Sequence, residues 1–369
     1  MAFVYKVNSN RRGVSMKYLK LIFGLIILLQ IGHYSRVYSQ CNLFVTANTY
    51  MKDTSFWNKI VLFFGRNYLA GSSLEEGYET IKKFHALGRK STFDIVGEDS
   101  HTLKDADAIL HTYKQIADDF YAEYGEEDVV SISLKPTGIC AVNRHTFLPE
   151  TPLNERLYAY GAYASKKGKR KISLDMEDSN YTDASIEAVR YSWRKGVPIG
   201  LVLQSRLNRT EHDIDTIFSE NYPIPRHQLR VRIVIGVYVE PEDIATNDRQ
   251  KAKERLVDRV GQLFDKGAYV EIATHDPDII DRIINEIIIP RNISPDRFEF
   301  QFLKGVENGY MIEKKVMRRG YTVRYYLGIE LKKFASVPYI KRRLSNNPAF
   351  IRHGIKNIWQ QMINFFTGE

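Results

Sequence analysis

Eight short runs rich in β-branched and aromatic residues punctuate the chain: STFDIV (91–96), VVSISLK (129–135), KISLDME (171–177), IGLVLQS (199–205), RVRIVIG (230–236), YVEIATH (269–275), FEFQFLK (298–304) and YTVRYYL (321–327). Between them lie longer stretches with helical periodicity, among them DADAILHTYKQIADDFYAEYG and RQKAKERLVDRVGQLFDKG, and SLEEGYETIKKFHALG precedes the first run. Several close on a Gly suited to a helix C-terminus. The runs start 23 to 42 residues apart, the size of one βα unit. Eight such units imply an α/β fold of the closed parallel (β/α)8 type, a TIM-like barrel, rather than an open sheet. A barrel of roughly 250 residues forms one domain, so 369 residues allow a barrel over 53–369 preceded by an arm over 1–52.

In a parallel barrel the chemistry collects where the strands end. Here the strand ends and the loops after them carry Glu98, Lys135, Asp175 and Glu177, Gln204 and Arg206, Arg232 and Tyr238, Thr274 and His275, Gln301, and Tyr326. One polar residue at a strand end means little, because loops begin there. Nearly every strand supplies one, which favours a polar site at the barrel mouth. His275 could serve as a metal ligand, a base or a hydrogen-bonding cofactor contact; a lone His makes no metal site, and the last role is preferred. Near the C-terminus, SVPYIKRRLSNNP places Tyr339, Arg342 and Arg343 at i, i+3 and i+4, a single helical stripe able to clamp an anion.

The formal charge of +9 looks at first like a nucleic-acid signal. Residues 1–52, however, carry seven of the 53 basic residues and none of the 44 acidic ones, which leaves a body of about +2. The body is therefore no evident nucleic-acid binder. Within the arm, Lys17 and Lys20 precede an apolar run from Leu21 to Ile31, short for a membrane span of about twenty residues. It reads as a secretory or organelle targeting segment, as a helix lying in a membrane surface, or as a helix packed on the body. Cys41 and Cys140 have no metal spacing and read as ordinary thiols. No two glycines are separated by a single residue, so the G-x-G-x-x-G turn is absent. Neither G-K-[ST], G-x-S-x-G nor H-E-x-x-H occurs, which removes phosphate-loop, serine-hydrolase and zincin chemistry.

With these strand ends and the Tyr339 to Arg343 stripe in place, the sequence resembles the compact bacterial type of proline dehydrogenase, a flavin enzyme on a (β/α)8 barrel. The likeness runs from about Tyr68 to about Pro348 and rests on FDIVGED, ISLKPTG, ISLDMED, LVLQSRLNRT, VRIVIGVYVEP, VEIATHDPDII, FEFQFLKGV, RRGYTVRYYLGI and YIKRRLSNNP taken jointly. The resemblance implies extra N-terminal helices and a C-terminal helix over the mouth, on which Arg342 and Arg343 grip the carboxylate of L-proline. It implies that Glu98 pairs with Arg342 and closes the site. Lys135 and Asp175 then lie at the pocket floor, Tyr326 and Tyr339 pack on the proline ring, Leu303 forms a wall, and Tyr238 stands at the pocket. Arg232, Gln204, Thr274 and His275 would contact FAD, and a membrane quinone would take the electrons, with peripheral membrane contact, no metal and no nucleic acid. The chain departs from the pattern at Ile235, at Arg206, at Asn346 and in YYLGIE. Those changes leave open a substituted substrate such as hydroxyproline, or a barrel that binds a carboxylate without oxidising it.

Overall fold

A computed structural model of the chain describes residues 65–97, 99–141, 152–166, 170–332 and 334–340, together with Asn58 and Leu62. The arm of residues 1–52, Glu98, Arg342, Arg343 and Asn346 lie outside the described residues. All eight expected strands form: β2 (Lys90–Ile95), β3 (Val130–Leu134), β4 (Ile172–Leu174), β5 (Gly200–Gln204), β6 (Arg230–Val234), β7 (Tyr269–Ala273), β8 (Phe298–Leu303) and β9 (Val323–Ile329). Every neighbouring pair is parallel, and β9 pairs with both β2 and β8, which closes the barrel. A short β1 (Leu69–Gly71), not foreseen from sequence, adds to the far end of β9. Lys304, just after β8, secures it by donating to the carbonyls of Asn67 and Leu69 at 2.9 and 2.8 Å.

The helices begin where side chains can satisfy the free N–H groups of a first turn. Ser73 caps α1 (Leu74–Ala86), and Thr102 with Asp105 forms a capping box on α2 (Leu103–Tyr124). Along α2 the buried positions Ala106, Ile109, Tyr113, Ile116, Ala117 and Phe120 repeat at three and four residues, so one stripe packs on the barrel. Next come α3 (Leu153–Lys166) and α4 (Thr182–Arg194); on α4 the buried Trp193 donates Nε1–H to the Ile199 carbonyl at 2.7 Å and ties the helix to the start of β5. They are followed by α5 (Thr210–Ser219), α6 (Arg249–Asp265), α7 (Pro277–Arg282) and α8 (Glu307–Met317).

The helix-facing side of the strands is apolar, with Phe93, Ile132, Leu134, Val231, Ile233, Val270, Ile272, Phe298, Phe300 and Leu327 all buried. The inward side is different. Parallel barrels are ordinarily filled by branched apolar side chains; here alternate positions supply charge. At the floor, Asp128 receives Lys90 at 2.7 Å, Lys171 at 2.9 Å and Arg324 at 3.0 Å. Arg324 also binds Glu299 at 2.6 Å. In the next layer, Gln301 donates to Glu299 and Glu271 at 2.7 and 2.8 Å, and Arg230 donates to Glu271 at 2.7 Å. Above them Arg232 links Glu271 to Asp175. The Arg324 guanidinium and the Glu299 carboxylate are both almost wholly buried, so each depends on the other's charge.

Arg324→Met should leave Glu299 buried without its partner and cost about 3–5 kcal/mol of stability. Urea unfolding reads this as a lowered midpoint at unchanged slope; a midpoint equal to that of the wild type would show that the filling is not held by this pair.

Candidate active site

At the C-terminal ends of the strands the ionic filling opens into a cavity of about 550 Å³, within the range of cofactor and small-ligand sites. All ten of the described residues to which the resemblance gives a site role line it: Lys135, Asp175, Gln204, Arg232, Tyr238, Thr274, His275, Leu303, Tyr326 and Tyr339; the further strand-end candidates Glu177, Arg206 and Gln301 line it as well. They come from segments more than two hundred positions apart, and only barrel closure brings them together.

Asp175, the first residue past β4, is the hub. Its Oδ1 accepts from Ser133 Oγ at 2.6 Å and from Arg232 Nη1 at 2.9 Å, and its Oδ2 accepts from the Tyr326 hydroxyl at 2.6 Å. The Arg232 guanidinium lies 5.7 Å from the centroid of the Tyr326 ring, close enough for a cation–π contact. Burial and the Asp175 carboxylate raise the Tyr326 pKa well above the ordinary value, so the hydroxyl stays a donor. Lys135 forms an ion pair with Asp94, a fully buried residue of β2. Burial works against the ammonium, but the carboxylates of Asp94 and Asp175 outweigh it and raise the Lys135 pKa. Lys135 is thus a fixed cation at the cavity floor, not a proton acceptor. Asp94 itself is pushed up to about 6 by burial, with Lys135 pulling the other way.

Two polar atoms in this wall have no partner although they are buried: Arg232 Nη2, a donor, and Gln204 Oε1, an acceptor. Gln204 is held from its other end, since its Nε2 donates to the Glu177 carbonyl at 2.7 Å. The loop after β6 presses close to it. Gly236 has φ +104°, and a Cβ there would stand 2.4 Å from Gln204 Oε1. Buried polar groups are normally bonded, so these two atoms, one donor and one acceptor, fit a flat heterocycle that presents both kinds of group along its edge. The isoalloxazine of a flavin does so. Farther along, the cavity is lined by Thr246, Asn247, Arg249 and Lys253, the last two on the first turns of α6. Cations beside a helix N-terminus suit a diphosphate.

His275 accepts a bond from the Leu303 N–H on Nε2 at 2.8 Å. That lone pair is occupied, so Nε2 can neither bind a metal nor take a proton in this arrangement. Among the described residues no cluster of His, Cys, Asp and Glu suits a metal ion. Thr274 Oγ1 accepts from the Asp276 N–H at 3.3 Å, and Asp276 caps α7. Arg206 acts as a strut: it donates to the Tyr238 carbonyl and to Asn247 Oδ1 at 2.5 and 3.0 Å, fastening two cavity loops. Residues 337–340 are helical and bring Tyr339 to the cavity. This helix is seated by Glu330, which accepts from Ser336 N and Oγ at 2.9 and 2.6 Å. Gly97 has φ +80°, and a Cβ on it would meet the Ala335 carbonyl oxygen at 1.8 Å, so the loop after β2 and the segment before Tyr339 touch backbone to backbone.

The profile of the family described as proline dehydrogenase matches residues 78–352, about three quarters of the chain. The chain belongs to the proline dehydrogenase family. It is an oxidoreductase of the class that acts on proline. The chain is 26% identical to proline dehydrogenase 1 of Bacillus subtilis (strain 168) over 293 residues, 79% of this chain and 90% of that one. Identity to the proline dehydrogenase of Deinococcus radiodurans is also 26%, over 78% of this chain and 88% of that protein. Among solved structures, proline utilization A from Bdellovibrio bacteriovorus inactivated by N-propargylglycine superposes with a TM-score of 0.67 at 18% identity, over 78% of this chain. This chain spans 33% of that much longer protein, and the likeness is one of fold. The proline dehydrogenase barrel is thus shared, while the partners of its buried charges are read from this chain alone.

Sequence reasoning passed over Asp94, Ser133, Glu271 and the bonds of Glu177. The signal was present as charge or hydroxyl at every second position of runs that parallel strands normally keep apolar. Glu177 accepts from Thr137 N and Oγ1 at 3.0 and 2.9 Å, yet burial dominates and pushes its carboxyl up to about 7 from the usual 4.5. Because the folded value is the higher one, the stability that protonation confers is complete below about pH 4.5 and is lost as the pH rises through about 7. Glu177→Gln, neutral throughout, lacks this term. The stability of wild type minus variant should therefore fall by about 3 kcal/mol over that window; a difference that stays flat with pH would contradict the assignment.

Proposed function

We propose that this chain catalyses the FAD-dependent oxidation of L-proline to 1-pyrroline-5-carboxylate and passes the electrons to a membrane quinone. The observation that carries this reading is the pair of unpartnered buried atoms, Arg232 Nη2 and Gln204 Oε1, set in a wall otherwise saturated with bonds. When bound, the flavin supplies the hydride acceptor that no side chain can provide. Arg232 and Gln204 would hold its ring, with Thr274 and His275 beside them, and Arg249 and Lys253 would face its diphosphate.

The chain's own residues then have to bind and orient a small amino acid. Arg342 and Arg343 supply two guanidinium forks for its carboxylate, which adjacent arginines hold with short charge-assisted bonds. By the resemblance, Glu98 would pair with Arg342 and close the site. Tyr326, Tyr339 and Leu303 pack on the ring, and Lys135 with Asp175 forms the polar floor. The substrate amine would enter neutral, so that its lone pair is free to form the double bond to C5 as the C5 hydride passes to the bound flavin, and the iminium N–H proton would then be lost to water to give 1-pyrroline-5-carboxylate. Holding C5 in line with its acceptor is where this binding energy lowers the barrier, by several kcal/mol.

Purified protein should carry a yellow flavin and reduce a soluble dye when given proline. A colourless protein that takes up no FAD would sink the reading, and flavin that is never reduced would favour the non-oxidising alternative. Arg342→Met and Arg343→Met should each raise the KM for proline about a hundredfold, a few kcal/mol, with flavin content unchanged. Unchanged proline kinetics in both variants would remove the clamp.

A quinone acceptor lies in lipid, and an acid-free segment with Lys17 and Lys20 beside an apolar run suits shallow membrane binding. No helix among the described residues is long and apolar enough to cross a membrane. Removal of residues 1–40 should leave dye reduction intact while weakening sedimentation with anionic vesicles and slowing reduction of a long-tailed quinone. Equal vesicle binding by both forms, or a mature protein that begins near Cys41, would refute the anchor.

A further inference from the structure

Glu271, in the middle of β7, does not line the cavity, yet it decides how one wall of the cavity is presented. Its Oε1 accepts from Arg230 Nε at 2.7 Å and Nη2 at 2.5 Å. Its Oε2 accepts from Gln301 Nε2 at 2.8 Å and from Arg232 Nε at 3.2 Å. Both oxygens are therefore saturated with donors, at a residue 1% exposed. Arg232 is planar and forked, so pinning two of its edges fixes the third. Glu271 pins Nε, Asp175 pins Nη1 at 2.9 Å, and Tyr326 lies across the guanidinium. What remains is Nη2, buried and without a partner.

We propose that Glu271 is a positioning residue: it aims the unpartnered Nη2 edge of Arg232 into the cavity and thereby sets the reduction potential of the flavin held there. The inference rests on the flavin reading above and adds a residue that touches neither substrate nor cofactor. A cation held against the ring favours the reduced, more negative form. In Glu271→Gln an amide N–H₂ replaces one of two oxygens that face only donors. A donor then opposes a donor at either Arg230 or at Arg232 and Gln301, two buried guanidiniums lose their shared anion, and the Arg232 fork turns from its aim. Glu299 is a natural control. It is an equally buried carboxylate one layer lower, bound to Arg324, Gln301 and Tyr269, and no bond joins it to Arg232.

The experiment compares the flavin-loaded wild type with E271Q, E299Q, R232M and the double variant E271Q/R232M, reading midpoint potential by equilibration with a reference dye and flavin content by absorbance. In E271Q, reduction should become about tenfold less favourable, a potential lower by ~30 mV for a two-electron couple, with flavin content reduced. The E271Q change should add nothing once Arg232 is gone, and E299Q should lower the melting temperature without moving the potential. Should E271Q fail to fold, E271D, which keeps the charge but withdraws it by one methylene, should shift the potential in the same direction. An unchanged potential overturns the proposal. So does a raised one, the signature of simply deleting a negative charge near the ring, and so does an equal shift with Arg232 absent. A wild type that binds no flavin fails the functional reading itself, and is told apart from these outcomes before any variant is compared.

Discussion

The charged filling of the barrel is the constraint on which the rest depends. A closed ring of parallel strands has an interior that must be filled, and branched apolar side chains fill it at least electrostatic risk. This chain instead stacks Asp128, Arg324, Glu299, Gln301, Glu271, Arg232 and Asp175 in consecutive contact from the floor to the mouth, with Arg230 joined to Glu271 from the side. Ionised groups removed from water survive only if nearly every donor meets an acceptor. Such a column tolerates little movement, because displacing one member leaves its neighbour unpaired. Burial pulls the Glu271 and Glu299 carboxyls upward, but the surrounding guanidiniums win and hold both below their ordinary values.

The site inherits its geometry from that rigidity. Asp175 stands where the column reaches the cavity and receives Ser133, Arg232 and Tyr326 together. Lys135 is kept charged by Asp94 and Asp175. Saturating the wall in this way makes the two exceptions, Arg232 Nη2 and Gln204 Oε1, informative: in the proposed reading they are where the flavin would complete the bonding. Burial works against the charge of both Lys135 and Glu177, and their neighbours decide the outcome. The lysine has carboxylates around it and stays charged, whereas Glu177 is held mainly by Thr137 and is pushed toward its neutral form.

The strands were legible because their helix-facing positions are continuous in Val, Ile, Leu and Phe, and the spacing of the runs counted the βα units. The expected run 171–177 shortened to Ile172–Leu174, although the Asp175 N–H still donates to the Leu134 carbonyl of β3 at 2.8 Å, and the eighth run extended to Ile329, where β1 and β2 both pair with it. Candidate residues at the strand ends could be named one by one, but not their bonds. Asp175 meets Tyr326 across 151 positions, and nothing local in either segment specifies that contact. Glu271 was hidden for a different reason. It sits mid-strand, where a search confined to strand ends does not look, although an acidic residue between Val270 and Ile272 in a parallel strand already required a buried cation. His275 shows the limit of residue type as a guide, since three roles were open until the Leu303 N–H was found on Nε2.

The most direct test is a crystal structure of the protein grown with FAD and a non-oxidisable, proline-like cyclic carboxylate. The account predicts the flavin ring bonded to both Arg232 Nη2 and Gln204 Oε1, the carboxylate between Arg342 and Arg343, and the contacts of Asp175 with Ser133, Arg232 and Tyr326 unchanged. A ring bound elsewhere in the barrel, or one that leaves those two atoms to water, would contradict it.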